Sequence, residues 1–125
     1  MEKLIKNKHH NPTIEISYEK KENYTKIYLK GKLVYGNQQM AKDKLRAIFE
    51  ENKKSKHYVF DMNEMEFIDS TGLALLIYFF KMVQQHDGTM TLVVNNPVIQ
   101  RIIKIAKLDL VMAIVKDEKE INEQC

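Results

Sequence analysis

Phe67-Ile68-Asp69-Ser70-Thr71-Gly72-Leu73-Ala74-Leu75-Leu76 lies just past the middle of the 125-residue chain and joins two unlike patterns. Upstream, His57-Tyr58-Val59-Phe60-Asp61-Met62 is a short, nearly unbroken apolar run. Such a run suits a central strand covered on both faces, as in a parallel sheet. Asn63 to Glu66 reads as a connector. Downstream, residues 71–86 predict a helix with Leu73, Leu76, Ile77, Phe80 and Val83 on one stripe. Leu75, Phe79 and Met82 add apolar side chains off that stripe. They suit either a contact face or burial beneath the last helix. At the junction, Asp69 or Ser70 is a good N-cap, accepting a hydrogen bond from a free N–H of the first turn.

The same alternation of strand and helix extends both ways. Ile14, Ile16 and Tyr18 alternate with polar residues, and residues 24–30 are rich in β-formers, so a short turn at 20–23 predicts an antiparallel hairpin. Leu33-Val34-Tyr35, between Gly31 and Gly36, reads as a further short apolar piece. Residues 38–53 predict an amphipathic helix through Ala41, Leu45, Ile48 and Phe49. Asp87-Gly88 is a turn signal, and Met90 to Val94 is another apolar strand. Pro97 opens a helix whose inner face is Ile99, Ile102, Ile103 and Ala106. Val111 to Val115 is a last strand, followed by a polar tail or helix end over 119–125. Residues 1–12 read as a flexible N-terminal segment and 13–118 as one domain. The fold class is α/β: a mixed, mainly parallel sheet with an antiparallel edge hairpin and helices packed against it.

Composition narrows the function. Hydrophobic residues make up 44% and charged residues 30% of the chain, an ordinary globular balance. The net charge is +3, from 20 basic and 17 acidic side chains. The lysines are scattered, as at Lys3, Lys6 and Lys8 or Lys53, Lys54 and Lys56, and read as solvated faces rather than a nucleic-acid footprint. Cys125 is the only cysteine, which excludes an intramolecular disulfide and agrees with a reducing compartment. The apolar run from Leu73 to Phe80 is far shorter than the roughly 20 residues a membrane span needs. These features predict a cytoplasmic domain without a membrane span.

Standard chemistry is missing. His9, His10, His57 and His86 make no His-Glu-x-x-His, and no cysteine pair exists, so no metal site is expected. The glycines are too far apart for a phosphate loop, and no cofactor is expected. Ile68 and Gly72 flank Ser70 where a Gly-x-Ser-x-Gly elbow needs two glycines. No second carboxylate is identified to pair with Asp69, so the chain is not read as an enzyme. A helix start, by contrast, offers N–H donors and a positive dipole end to a phosphate. Ser70 is therefore the candidate phosphorylation site. Gly72 removes a side chain near that hydroxyl, which would let another protein's active site approach. Asp69, Thr71, Gly72, Leu73, Leu75 and Phe79 are the candidate partner-binding residues.

The segments Val59-Phe60-Asp61-Met62 and Phe67 to Leu76 resemble the STAS family, the domain of anti-sigma factor antagonists and sulfate-transporter tails. They are similar to its strand, its F-x-D-S-[ST]-G-L signature and the following helix. Asp87-Gly88, Asn96-Pro97-Val98-Ile99 and Leu108 extend the likeness over about residues 13–118. The resemblance implies a partner-switching module in which a serine kinase that is also the anti-sigma factor phosphorylates Ser70. The unphosphorylated form would bind that factor and free a sigma factor, and a PP2C-type phosphatase would reset it. Antagonists of this type carry Gly-Glu-Leu-Asp after the second strand, whereas this chain has Gly31-Lys32-Leu33-Val34. A second reading is a STAS scaffold, in a stress-signalling complex or a transporter, that binds without switching. A third is a small-ligand or nucleotide-binding domain. Whether the domain forms a homodimer is left open.

Overall fold

The structure, a computed structural model, describes residues 13–124. The expected flexible segment 1–12 and Cys125 lie outside the described residues. Strands β1 (Ile14–Lys20), β2 (Thr25–Leu33), β3 (His57–Ile68), β4 (Thr89–Val93) and β5 (Ala113–Val115) alternate with helices α1 (Gln38–Glu51), α2 (Ser70–Gln85), α3 (Pro97–Ile105) and α4 (Lys119–Gln124). The five strands form one sheet in the order β1-β2-β3-β4-β5. β1 and β2 are antiparallel, and every later pair is parallel. The expected mixed α/β sheet with an antiparallel edge is therefore present.

Burial alternates along the strands and separates two layers. Ile27, Leu29, Tyr58, Phe60, Met62 and Leu92 share one core with Leu45 and Ile48 of α1, Leu75, Leu76, Phe79 and Val83 of α2, and Ile99 and Ile103 of α3. The intervening residues Tyr24, Val59, Val93 and Val115 form a second cluster with Ile121 of α4. Three helices thus cover one face, and the short C-terminal helix covers part of the other. β3 lies in the middle, buried on both sides, as its unbroken apolar run predicts. Phe79 anchors the larger layer. Its ring stands edge-on to Phe49, Tyr58 and Phe60, with centroids 4.9 to 5.8 Å away. Burying each large side chain of α2 contributes roughly 1.5–3 kcal/mol. Packing therefore outweighs helix propensity in fixing this helix.

Four sequence expectations need correction. Asn63 to Glu66 is not a connector, because β3 continues unbroken to Ile68. Its buried residues there, Met62, Met65 and Ile68, are three apart rather than two. Register shifts against β2 cause this, one of them beside Gly31, which has φ +111°. Leu33-Val34-Tyr35 is not a separate strand either. β2 runs through Gly31 to Leu33, and Tyr35–Asn37 is a 3-10 turn. The buried stripe of α2 is Leu75, Leu76, Phe79 and Val83, whereas Leu73, Ile77 and Phe80 are only partly covered. Ala106 and Val111 are exposed, since α3 ends at Ile105 and β5 starts at Ala113.

A buried charge registers the second layer. The Lys26 ammonium donates to Glu118, just before α4, and lies 3.4 Å from Asp61. It also sits 4.7 Å from the Tyr28 ring centre. Burial alone would push this lysine down, but the Glu118 hydrogen bond and the Tyr28 contact outweigh it and hold the ammonium above the usual lysine range. Tyr24 donates to the other Glu118 oxygen. Ile121→Ala should then cost about 2–4 kcal/mol. Urea unfolding should show a lower midpoint with an unchanged slope. An unchanged midpoint would mean that α4 does not close this layer.

Candidate functional site

The ends of β2 and β3 meet at one edge of the sheet. Leu33 pairs with Ile68, and the next amide, Asp69 N–H, donates to the Leu33 carbonyl over 3.2 Å. The chain then turns into α2 with Asp69 as N-cap. One carboxylate oxygen accepts from Thr71 N–H at 2.9 Å, Thr71 Oγ1–H at 2.7 Å and Gly72 N–H at 3.0 Å. The other accepts from Tyr35 N–H at 3.1 Å. Asp69 therefore ties the loop after β2 to the start of α2. Burial would raise its pKa, but these four hydrogen bonds hold it below the usual aspartate value.

Ser70 is the first residue of α2 and is exposed. Its hydroxyl makes no hydrogen bond with a described residue. Thr71 is half-buried with its hydroxyl committed to Asp69. The structure thus separates two adjacent hydroxyls, one held and one presented to solvent.

Gly72 has a different role from the one expected. It is buried, and a methyl group there would sit 2.6 Å from the Leu33 carbonyl oxygen and 2.6 Å from Ile68 Cγ1. Its missing side chain lets α2 approach the sheet and does not open the surface around Ser70. Leu75 and Phe79 are also corrected: at 2% and 0% exposure they belong to the core and present nothing to a partner. Their burial is against the sheet, not beneath the last helix. Leu73 stays partly exposed beside Ser70.

Asn37 and Met40 were not singled out from sequence, and Tyr35, Phe67 and Val98 were not assigned to the site. Asn37 accepts from Val34 N–H at 3.0 Å and donates to the Lys32 carbonyl at 2.8 Å, fixing the loop that offers Tyr35 N–H to Asp69. An Asn just before a periodic helix is a legible start signal. Tyr35 is 81% exposed, and Phe67, Met40 and Val98 are also exposed large apolar residues. Tyr35 adjoins Asp69, and Phe67 precedes it by two residues. Met40 and Val98 stand in the first turns of α1 and α3, which start at this same edge. Single apolar residues in loops carry no periodic signal. Lys32 is exposed and pairs in register with Phe67, and Val34 is half-buried. Among the described residues, no group of three or more His, Cys, Asp or Glu is placed to hold a metal ion. No described helix is long and apolar enough to cross a membrane.

Two substitutions test this geometry. Gly72→Ala should destabilise by about 1–3 kcal/mol through overpacking, although Ala in a free helix gains about 1 kcal/mol over Gly. A net gain in urea unfolding would show that α2 is not in close contact with β2. Asp69→Ala should cost about 1–2 kcal/mol at neutral pH, the range for a lost N-cap. Asp69→Asn keeps an acceptor and removes the charge. Because the folded aspartate lies below its unfolded value, its stabilisation is full above about pH 4 and fades as pH falls through the depressed value. The stability gap between the wild type and Asp69→Asn should therefore shrink from pH 7 to pH 3. A gap that stays constant would exclude the charge as its source.

Comparison with known proteins gives a consistent result. The STAS domain family model matches residues 15–121. An anti-sigma F factor antagonist from Paenibacillus polymyxa is 24% identical over 92 residues, covering 74% of this chain and 78% of that one. The crystal structure of an anti-sigma factor antagonist from Mycobacterium paratuberculosis superposes with a TM-score of 0.77 at 18% identity, over 86% of this chain and 90% of that one. The phosphorylated form of the Bacillus cell fate determinant SpoIIAA gives 0.65 at 16% identity, over 89% of this chain and all of that one. With the family model spanning the whole sheet and the β3–α2 junction, the chain belongs to the STAS domain family and has the fold of the anti-sigma factor antagonists.

Proposed function

We propose that this chain is an anti-sigma factor antagonist that works in the cytoplasm by partner switching. In its unphosphorylated form it binds an anti-sigma factor through the edge around Ser70, and so releases a sigma factor. The anti-sigma factor, acting as a serine kinase, phosphorylates Ser70, and a PP2C-type phosphatase reverses this. The chain itself supplies a recognition surface and not a catalytic group. The observation that carries the reading is an exposed Ser70 hydroxyl at the first position of a helix whose cap is already complete.

The complete cap decides how a phosphate would act. Asp69 occupies the Thr71 and Gly72 N–H groups, and the Leu73 N–H binds the Asp69 carbonyl. A phosphate on Ser70 would find those three donors taken. It would remain at the surface as an added charge of about −1.5 to −2. Beside it lie the Asp69 carboxylate and the apolar residues Tyr35, Phe67 and Leu73. A partner that buries those residues would have to desolvate this charge or oppose it. The switch then needs no refolding of the domain.

Intact mass after incubation with the cognate kinase and ATP should rise by one phosphoryl group, and Ser70→Ala should abolish the gain. A gain that persists in Ser70→Ala, or no gain, would sink the phosphorylation claim. Ser70→Asp should weaken binding to the anti-sigma factor by about tenfold or more. Exposed Lys32 and half-buried Val34, where antagonists of this type carry acids, favour a second reading: a scaffold that binds constitutively. That reading expects partner affinity indifferent to Ser70→Asp in the same titration.

A further inference from the structure

Besides Tyr18 on β1, which donates to Glu51, seven large apolar residues are exposed among those described. Tyr35, Met40, Phe67 and Val98 lie at the Ser70 edge. Ile105, Leu110 and Val111 do not, and their position is the opposite one. α3 starts beside the end of β3, where the Asn96 amide donates to the Met65 carbonyl. It then runs back to the edge where the parallel strands begin. Lys107, with φ +63°, turns the chain into a 3-10 turn at Leu108–Leu110, and Val111 follows. Leu108 is buried, whereas Ile105 is 73% and Leu110 75% exposed. A cavity of about 420 Å³ links Val111 to Thr89, Gly88 and His57.

The same edge is rich in lysine. A cleft of about 720 Å³ between the β1–β2 turn and the end of α1 is lined by Lys20, Lys21, Lys53, Lys54 and Lys56, with Glu22, Glu50 and Glu51 as its acids. Lys53 pairs with Glu50 at 3.0 Å and Lys21 with Glu19 at 3.4 Å, so among the described residues Lys20, Lys54 and Lys56 are the cations of this cleft outside an ion pair. His57 lines both this cleft and the Val111 cavity. The lysine row and the aliphatic cluster are therefore neighbours on one end of the molecule. Arg101, Lys104 and Lys107 add cations around the aliphatic residues, against Asp109.

We infer that this edge docks on an anionic lipid surface, with Ile105, Leu110 and Val111 entering the headgroup region and the lysine row lying against the headgroups. Aliphatic residues with a neighbouring basic cluster supply the two weak signals that together give membrane-surface attachment. Nucleic acid would use the cations but not Ile105 and Leu110. A protein hot spot is usually an aromatic or Arg anchor in a pocket, and these three side chains are aliphatic. Docking in this orientation leaves Ser70 at the far edge, facing away from the lipid.

The test is co-sedimentation of the full chain with vesicles of phosphatidylcholine alone or mixed with phosphatidylglycerol. Binding should require phosphatidylglycerol and weaken as salt rises. Ile105→Ser with Leu110→Ser should lower it by about fivefold or more, and Lys54→Gln with Lys56→Gln should do likewise. All four positions are exposed, and circular dichroism should show the variants folded like the wild type. Absence from phosphatidylglycerol vesicles would overturn the inference. So would equal binding to both vesicle types, or binding that the aliphatic variant leaves intact, which would indicate a general polyanion site. Ser70→Asp should leave vesicle binding unchanged, so the result is independent of the switch at Ser70.

Discussion

The Asp69 carboxylate holds together two segments that are 34 residues apart in sequence. Its bond to Tyr35 N–H fixes the loop after β2, and its bonds to Thr71 and Gly72 start α2. Gly72 makes this geometry attainable, because any side chain there would meet the Leu33 carbonyl. The two residues act as one device. The glycine brings the helix start down onto the sheet end, and the aspartate satisfies the amides that would otherwise be left without partners. Ser70 lies between them and is the one residue of the group that faces outward. Its exposure follows from its neighbours' commitments.

Much of this was legible in the sequence because it depends on local pattern. The apolar run at 57–62 marks a strand buried on both faces, and Asp-Ser before an apolar period marks a capped helix. What escaped depends on tertiary register. Met62, Met65 and Ile68 lost their alternation where β3 shifts against β2, so a strand resembled a connector. The buried stripe of α2 was misplaced because the helix is apolar on most sides. Which side faces the core is decided by Phe49, Tyr58 and Phe60 around Phe79, none of which lies on that helix. The roles of Leu75 and Phe79 changed for the same reason. Both are apolar residues near a signature, and only the fold distinguishes core from contact.

Charge was less legible than hydrophobicity. Lys53, Lys54 and Lys56 read as a solvated helix end, and Lys20 and Lys21 as part of a hairpin turn. The sheet brings both groups to the edge where its parallel strands begin. Lys26 shows the reverse. It lies among β-formers with nothing to mark it, yet it is buried against Glu118, 92 residues later. Removing Lys26 would leave Glu118 and Asp61 without their shared cation, so the Lys26–Glu118 pair ties the C-terminal segment to β2.

The two edges of the sheet therefore differ in physical character. At one, a hydroxyl is presented among apolar side chains, and its neighbouring amides are already engaged. An added phosphate there changes the surface without competing for the bonds that hold the fold. At the other, cations and aliphatic residues lie together on either side of His57. A charge placed at Ser70 lies across the length of the sheet from that lysine row, well beyond the roughly 8 Å over which exposed charges interact at physiological salt. A charge added at Ser70 would therefore leave the electrostatics of the lysine edge as they are.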